Sequence, residues 1–230
     1  MIKGVVFDLD HTLFDRYGTL TECSPLYYEK FKDYLAPGLG IEDVATTLIY
    51  ADKEYIYRGG FARINKYLYE SGFFTKPMDN RLYVDIIWDG FSKIAVPFPF
   101  TYTVLEEIRE AGYKVGLITN GREDVQGAKI NLLGLESYFD EIIICSTPEL
   151  RKPNSLPFEM MAEKLGISPK ELVYVGDNPT NDVDASRRAG YTPVWVNTSG
   201  KWQFDDIPRA EHEIDTVADL YAVLNKLNSL

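Results

Sequence analysis

Five short segments of this 230-residue chain end apolar runs with side chains able to hold a phosphate or a metal ion. They are Val5 to Leu13, carrying Asp8 and Asp10; Gly116 to Gly121, carrying Thr119 and Asn120; the Arg151-Lys152-Pro153 step; Val173 to Asp177; and Asn181-Asp182. Taken singly each is ordinary, since an Asp after a strand is commonly a turn former and a loop Lys is usually solvated. Together they converge, because ligands of open α/β sheets sit outside the carboxyl ends of the strands, where Asp8, Thr119, Asp177 and the Lys152 loop all fall. Four carboxylates in one crevice repel one another unless a hard divalent cation joins them, and Mg²⁺ suits a few oxygen ligands completed by water and phosphate. The Thr119 hydroxyl and nearby backbone N–H groups, followed by a helix starting near Glu123, would hold phosphoryl oxygens. Gly176 lets the chain approach closely there.

The elements that must position these residues are legible from the apolar pattern. Runs rich in Val and Ile at Ile2 to Phe7, Lys114 to Ile118, Glu141 to Cys145, Leu172 to Val175 and Thr192 to Val196 read as buried parallel strands. Helical spacing lies between the later ones, around Val104 to Ile108, Val125 to Leu133, Pro157 to Leu165 and Asn181 to Ala189. Gly112, Gly134, Gly166 and Gly190 stand just past those helices as stops. The alternation predicts an α/β doubly wound sheet. Gly38-Leu39-Gly40 lacks the third glycine and preceding strand of a dinucleotide fingerprint and reads as a helix end, and no P-loop occurs.

Residues 16–94 break the alternation. They are rich in Tyr and charge, with helical spacing in Tyr27 to Leu35, Val44 to Tyr57, Arg63 to Tyr69 and Arg81 to Lys93, so they read as an inserted helical module. A chain that is 45% hydrophobic can bury a large core, while 24 basic against 35 acidic residues give a net charge of -11, which disfavours nucleic acid and anionic membranes as partners. Cys145 in an apolar run reads as a buried thiol, and Cys23 gives no reason to expect a disulfide. The chain opens on a strand-like run with no leader pattern, and no segment approaches about 20 apolar residues, so a cytoplasmic protein is expected. No heptad pattern is evident, and a monomer is expected.

In order and chemistry the five segments resemble the haloacid dehalogenase superfamily, specifically its Mg²⁺-dependent phosphatases. The resemblance implies a Rossmann-like parallel-sheet core over 1–15 and 95–230 with an α-helical cap over 16–94. It implies that Asp8 is the nucleophile, forming an aspartyl-phosphate, and that Asp10 protonates the leaving group and then activates water. It places the phosphate on Thr119, Asn120 and Lys152, the metal on Asp8, the Asp10 carbonyl and Asp177, and Asp182 behind them, orienting a metal-bound water or Lys152, with direct ligation by Asp182 the alternative. Asp10 decides between chemistries, because the superfamily's dehalogenases carry a non-acidic residue there. His11, Arg151 and Asp184 are left outside the site. The implied substrate is a small phosphorylated metabolite, of nucleoside monophosphate, sugar phosphate or phosphoglycolate type. Arg16, Arg58, Arg63, Lys66 and Tyr17, Tyr55, Tyr57 and Tyr67 of the cap could stack on a base or bind a sugar, although most would be packing or surface residues. A phosphomutase or a metabolite-binding module would share the same core segments.

Overall fold

A computed structural model describes residues 1–198, 202 and 204–229. In chain order its strands and helices are β1 (Gly4–Phe7), α1 (Arg16–Glu22), α2 (Ser24–Phe31), α3 (Ile41–Tyr55), α4 (Gly60–Glu70), α5 (Asn80–Phe91), α6 (Thr101–Glu110), β2 (Lys114–Asn120), α7 (Glu123–Leu132), β3 (Glu141–Cys145), α8 (Leu156–Leu165), β4 (Leu172–Gly176), α9 (Ala185–Arg188), β5 (Thr192–Val196), β6 (His212–Ile214) and α10 (Leu220–Asn228). The chain divides into two compact units, Met1–Asp15 with Pro97–Leu230, and Arg16–Val96.

The first unit is built on one six-stranded sheet in the order β3-β2-β1-β4-β5-β6, with every pair parallel. β1 is central and fully buried, as its Gly-Val-Val-Phe composition requires of a strand covered on both faces. Successive strands run outward from β1 through β2 to β3 and, on the other side, through β4 and β5 to β6. The direction of winding therefore reverses between β1 and β4, where a crevice opens at the carboxyl ends. One face packs Val6, Ile118, Ile143, Phe158, Met161, Tyr174 and Tyr191 into a continuous cluster, with Phe158 meeting Tyr174 and Tyr191 edge-on at 5.0 and 5.8 Å. Gly166 ends α8 in the left-handed region at φ 68°, a conformation that costs glycine nothing.

All five expected strands form. β6 and α10 add to them: β6 is a three-residue edge strand, too short to show a pattern, and α10 follows it. The helix expected over Asn181 to Ala189 is instead a π-helical turn, Pro179–Asp184, running into the four-residue α9. Asn178 starts that turn by accepting from the N–H groups of Thr180 and Asn181. Gly38-Leu39-Gly40 marks the beginning of a helix, because α2 has already closed at Phe31 and the Gly40 N–H bonds Asp43 at the start of α3.

The second unit holds α1 to α5 around Phe31, whose ring lies 5.3 to 6.0 Å from those of Tyr27, Phe74 and Tyr83. Arg16 is buried here. Its guanidinium makes a two-pronged bond to Asp52, at 2.9 and 2.7 Å to one oxygen, and lies 5.3 and 4.9 Å from the Phe61 and Phe91 rings. Most of the other residues considered for substrate recognition are also engaged within the unit: Arg63 pairs with Glu70 and covers Tyr55, Lys66 also approaches Glu70, and Tyr55 packs on Tyr67.

Candidate active site

β1 ends at Phe7, and the Asp8 N–H continues its ladder by bonding Val175 O on β4. Asp8 and Asp177 thus leave the sheet from the two strands that flank the crevice. After Leu9 the chain turns tightly, with the N–H groups of Thr12, Leu13 and Phe14 all directed at Leu9 O. His11 takes φ 62° in this turn and is 3% exposed, its carbonyl accepting from the Thr198 hydroxyl. A left-handed non-glycine residue costs on the order of 1–3 kcal/mol and persists where surroundings impose it.

Lys152 is the hub of the site. It is 3% exposed, and four oxygens surround its Nζ: Asp8 Oδ1 and Asp182 Oδ1, both at 2.7 Å, the Tyr174 hydroxyl at 2.8 Å and Ile118 O at 3.1 Å. Burial alone would push the ammonium down, but Asp182 and Asp8 outweigh it and hold it well above the ordinary lysine value. Asp8 is pushed up to about 7, first by burial and further by Asp182 and Asp10, with Lys152 opposing. Two negative groups therefore lean on one ammonium, which leaves the site short of positive charge. Asp8, Asp177 and Asp182 each offer a carboxylate oxygen within 4.8 Å of the others, a set of hard donors that suits Mg²⁺.

Both Asp182 oxygens are already engaged, one by Lys152 and the other by the Asn178 N–H at 2.9 Å. Asp182 thus joins Lys152 to the turn that follows β4. Gly176 makes the arrangement possible, because a Cβ there would stand 2.5 Å from Asp182 Cγ. Gly176→Ala is expected to lower stability by about 1–3 kcal/mol through overpacking, read as a drop in melting temperature; an unchanged melt would contradict this packing.

Thr119 is the last residue but one of β2, 1% exposed, and its Oγ accepts from Gln126 Nε2, so the hydroxyl proton remains available to an incoming oxygen. The side chain of Asn120, expected on the phosphate, turns elsewhere: it donates to Lys152 O at 3.0 Å and accepts from Lys152 N at 2.9 Å. The Lys152 loop has left the sheet, and Asn120 satisfies its backbone in place of a strand partner. Asp10 is held by Gln126 and Lys129, at 2.9 and 2.7 Å. Neither was expected, nor was Tyr174, since a glutamine and a lysine in a helix and a tyrosine in a strand carry no signal of their own. Arg151 is exposed and Asp184 pairs with Arg188 on the surface.

The family model of haloacid dehalogenase-like hydrolases matches residues 5–196, which include every one of these positions. The chain belongs to that family. Among curated members, a glyceraldehyde 3-phosphate phosphatase from Methanocaldococcus jannaschii is 29% identical over 99% of both chains. Another from Methanopyrus kandleri is 35% identical over 57% of this chain and 58% of its own length, and a phosphoglycolate phosphatase from Neisseria meningitidis is 27% identical over 96% and 92%. Among solved structures of the family, a magnesium-bound HAD hydrolase from Bacillus subtilis superposes with a TM-score of 0.75 at 19% identity, covering 97% of this chain and 99% of that one. The L-2-haloacid dehalogenase of Xanthobacter autotrophicus gives 0.69 at 20%, covering 98% and 99%. The family fold thus serves both chemistries, and the side chains decide between them.

Proposed function

We propose that this protein is a phosphomonoester hydrolase of a small phosphorylated metabolite, working through an acyl phosphate on Asp8. One observation carries the reading: a carboxylate two residues beyond Asp8, on Asp10, in a site whose nucleophile is held by a buried lysine. Halide departs without a proton, whereas the alcohol of a phosphate ester needs one, so an acid beside the nucleophile serves an oxygen leaving group. The full-length similarity to phosphatases of small phosphorylated acids and aldehydes supports it.

Asp8 attacks phosphorus with the oxygen that does not face Lys152, while the ammonium offsets the charge the phosphoryl group brings. The Thr119 hydroxyl and the N–H groups opening α7 receive phosphoryl oxygens. Asp10 gives its proton to the departing alcohol and takes one from the water that cleaves the acyl phosphate. Asp8, the Asp10 carbonyl and Asp177 would hold Mg²⁺, which when bound supplies the positive charge that draws phosphate and carboxylate together. The inserted unit Arg16–Val96 would set substrate choice. Phosphate release from triose and sugar phosphates, phosphoglycolate, nucleoside monophosphates and an aryl phosphate, with Mg²⁺ and with EDTA, tests this; release that EDTA leaves untouched would count against it.

The raised Asp8 value has a thermodynamic consequence. Its ordinary carboxylate value is 3.8 and its value in the fold about 7. Between them the folded state binds more proton than the unfolded one, so this group's contribution to stability is lost as pH rises from about 4 to about 7. In EDTA, the melting temperature of Asp8→Asn is expected to gain on wild type across that window and to level above it. Mg²⁺ should restore wild type most at the upper end, where the carboxylate is ionised. A Mg²⁺ shift equal at pH 5 and pH 8 would contradict it.

A further inference from the structure

α7 buries a glutamine and a lysine on its inner face, at positions where leucine would pack as well. Gln126 and Lys129 are each 2% exposed and stand three residues apart, so they share one side of the helix. Each takes one oxygen of Asp10: Gln126 Nε2 donates to Oδ2 at 2.9 Å and Lys129 Nζ to Oδ1 at 2.7 Å. Gln126 bonds Thr119 Oγ as well, and the Lys129 ammonium lies 4.6 Å from the centre of the Phe14 ring, the residue that bridges back to Asp10. Gly121 makes room, since a Cβ there would stand 2.7 Å from Gln126 Cγ. Burying an ammonium and an amide is costly unless each is fully partnered, and hydrocarbon of the same volume would tie α7 to the β1 loop more cheaply. What hydrocarbon would not do is grip both oxygens of one carboxyl group.

We infer that Gln126 and Lys129 are positioning residues that fix the Asp10 carboxyl group in the orientation from which it exchanges a proton with the leaving group. This rests on the phosphatase reading above. In the first step an Asp8 oxygen bonds phosphorus as the bond from phosphorus to the alcohol oxygen breaks, and that oxygen takes the Asp10 proton. In the second, a water oxygen bonds phosphorus, the bond to Asp8 breaks, and a water proton returns to Asp10. A misplacement of about 1 Å costs on the order of 10²-fold in rate.

The test is single-turnover release of the alcohol, enzyme in excess, from the alkyl phosphate that wild type cleaves fastest and from para-nitrophenyl phosphate, whose leaving group departs without a proton. Lys129→Met and Gln126→Leu are expected to slow the alkyl ester about 10- to 100-fold, within the range that general acids supply, with para-nitrophenyl phosphate held within about threefold. Lys129→Arg should recover part of the alkyl rate, and Lys129→Met should add nothing in an Asp10→Asn background. Melting curves show that each variant is folded. Equal slowing of both esters, a rise in KM alone, or full additivity with Asp10→Asn overturns the inference. Retained turnover by Asp8→Asn, run in parallel, is a separate failure: it overturns the phosphatase reading and the inference with it.

Discussion

Asp8→Asn is expected to fold, to melt no lower than wild type at neutral pH in EDTA, and to lose phosphate release by on the order of 10⁴-fold or more, the scale seen when a nucleophile is removed. The change keeps the side-chain shape, while the buried carboxylate it removes is one that burial and two acidic neighbours already disfavour. Stability and activity therefore move in opposite directions. That pattern separates a nucleophile from a residue that merely holds the sheet end together, whose loss would lower both. Circular dichroism melts beside a phosphate assay on the same preparations check it; a variant that melts much lower, or one that still turns over, would contradict it.

Lys152→Met is expected to be the most damaging single change to stability. The lysine ties together Asp8, Asp182, Tyr174 and the Ile118 carbonyl, and its removal strands two buried carboxylates without a counter-charge. Breaking a buried pair from one side costs about 3–5 kcal/mol. Removing a donor that stabilises transition-state charge costs roughly 10²–10³ in kcat. The stability loss should shrink as pH falls, because stranded carboxylates escape by taking up protons, and should be largest above neutrality. Urea melts of wild type and variant in EDTA across pH 5 to 8 measure the difference; a deficit that grows toward acid pH would show that Lys152 is not the partner of these carboxylates.

How much of this could be read from the residues differs by element. Strands covered on both faces leave continuous apolar runs, so β1 to β5 and their order of appearance were visible, as were the residues that end them. β6 escapes because three residues at a sheet edge carry no period. The π-helical turn at Pro179–Asp184 escapes because its sequence also suits an α-helix, and what selects the wider turn is the Asn178 cap and the fixed place of Asp182. Within the site, acidic residues at strand ends announce themselves, but their partners do not. Lys152 was legible only from its place in the order of segments. Gln126 and Lys129 read as ordinary polar residues on a helix, and only the burial of their face shows otherwise. Arg16 illustrates the reverse: a cation offered as a substrate contact is committed to Asp52 between two aromatic rings.

The central claim is that phosphate passes through Asp8. Acid quenching of the enzyme during turnover of its best substrate, followed by peptide mass spectrometry, tests it most directly. The account predicts phosphate on the peptide carrying Val5 to Leu13, at Asp8, appearing within the first turnover and absent from Asp8→Asn. Phosphate trapped on a different residue, or steady turnover of Asp8→Asn with none trapped at all, would contradict it.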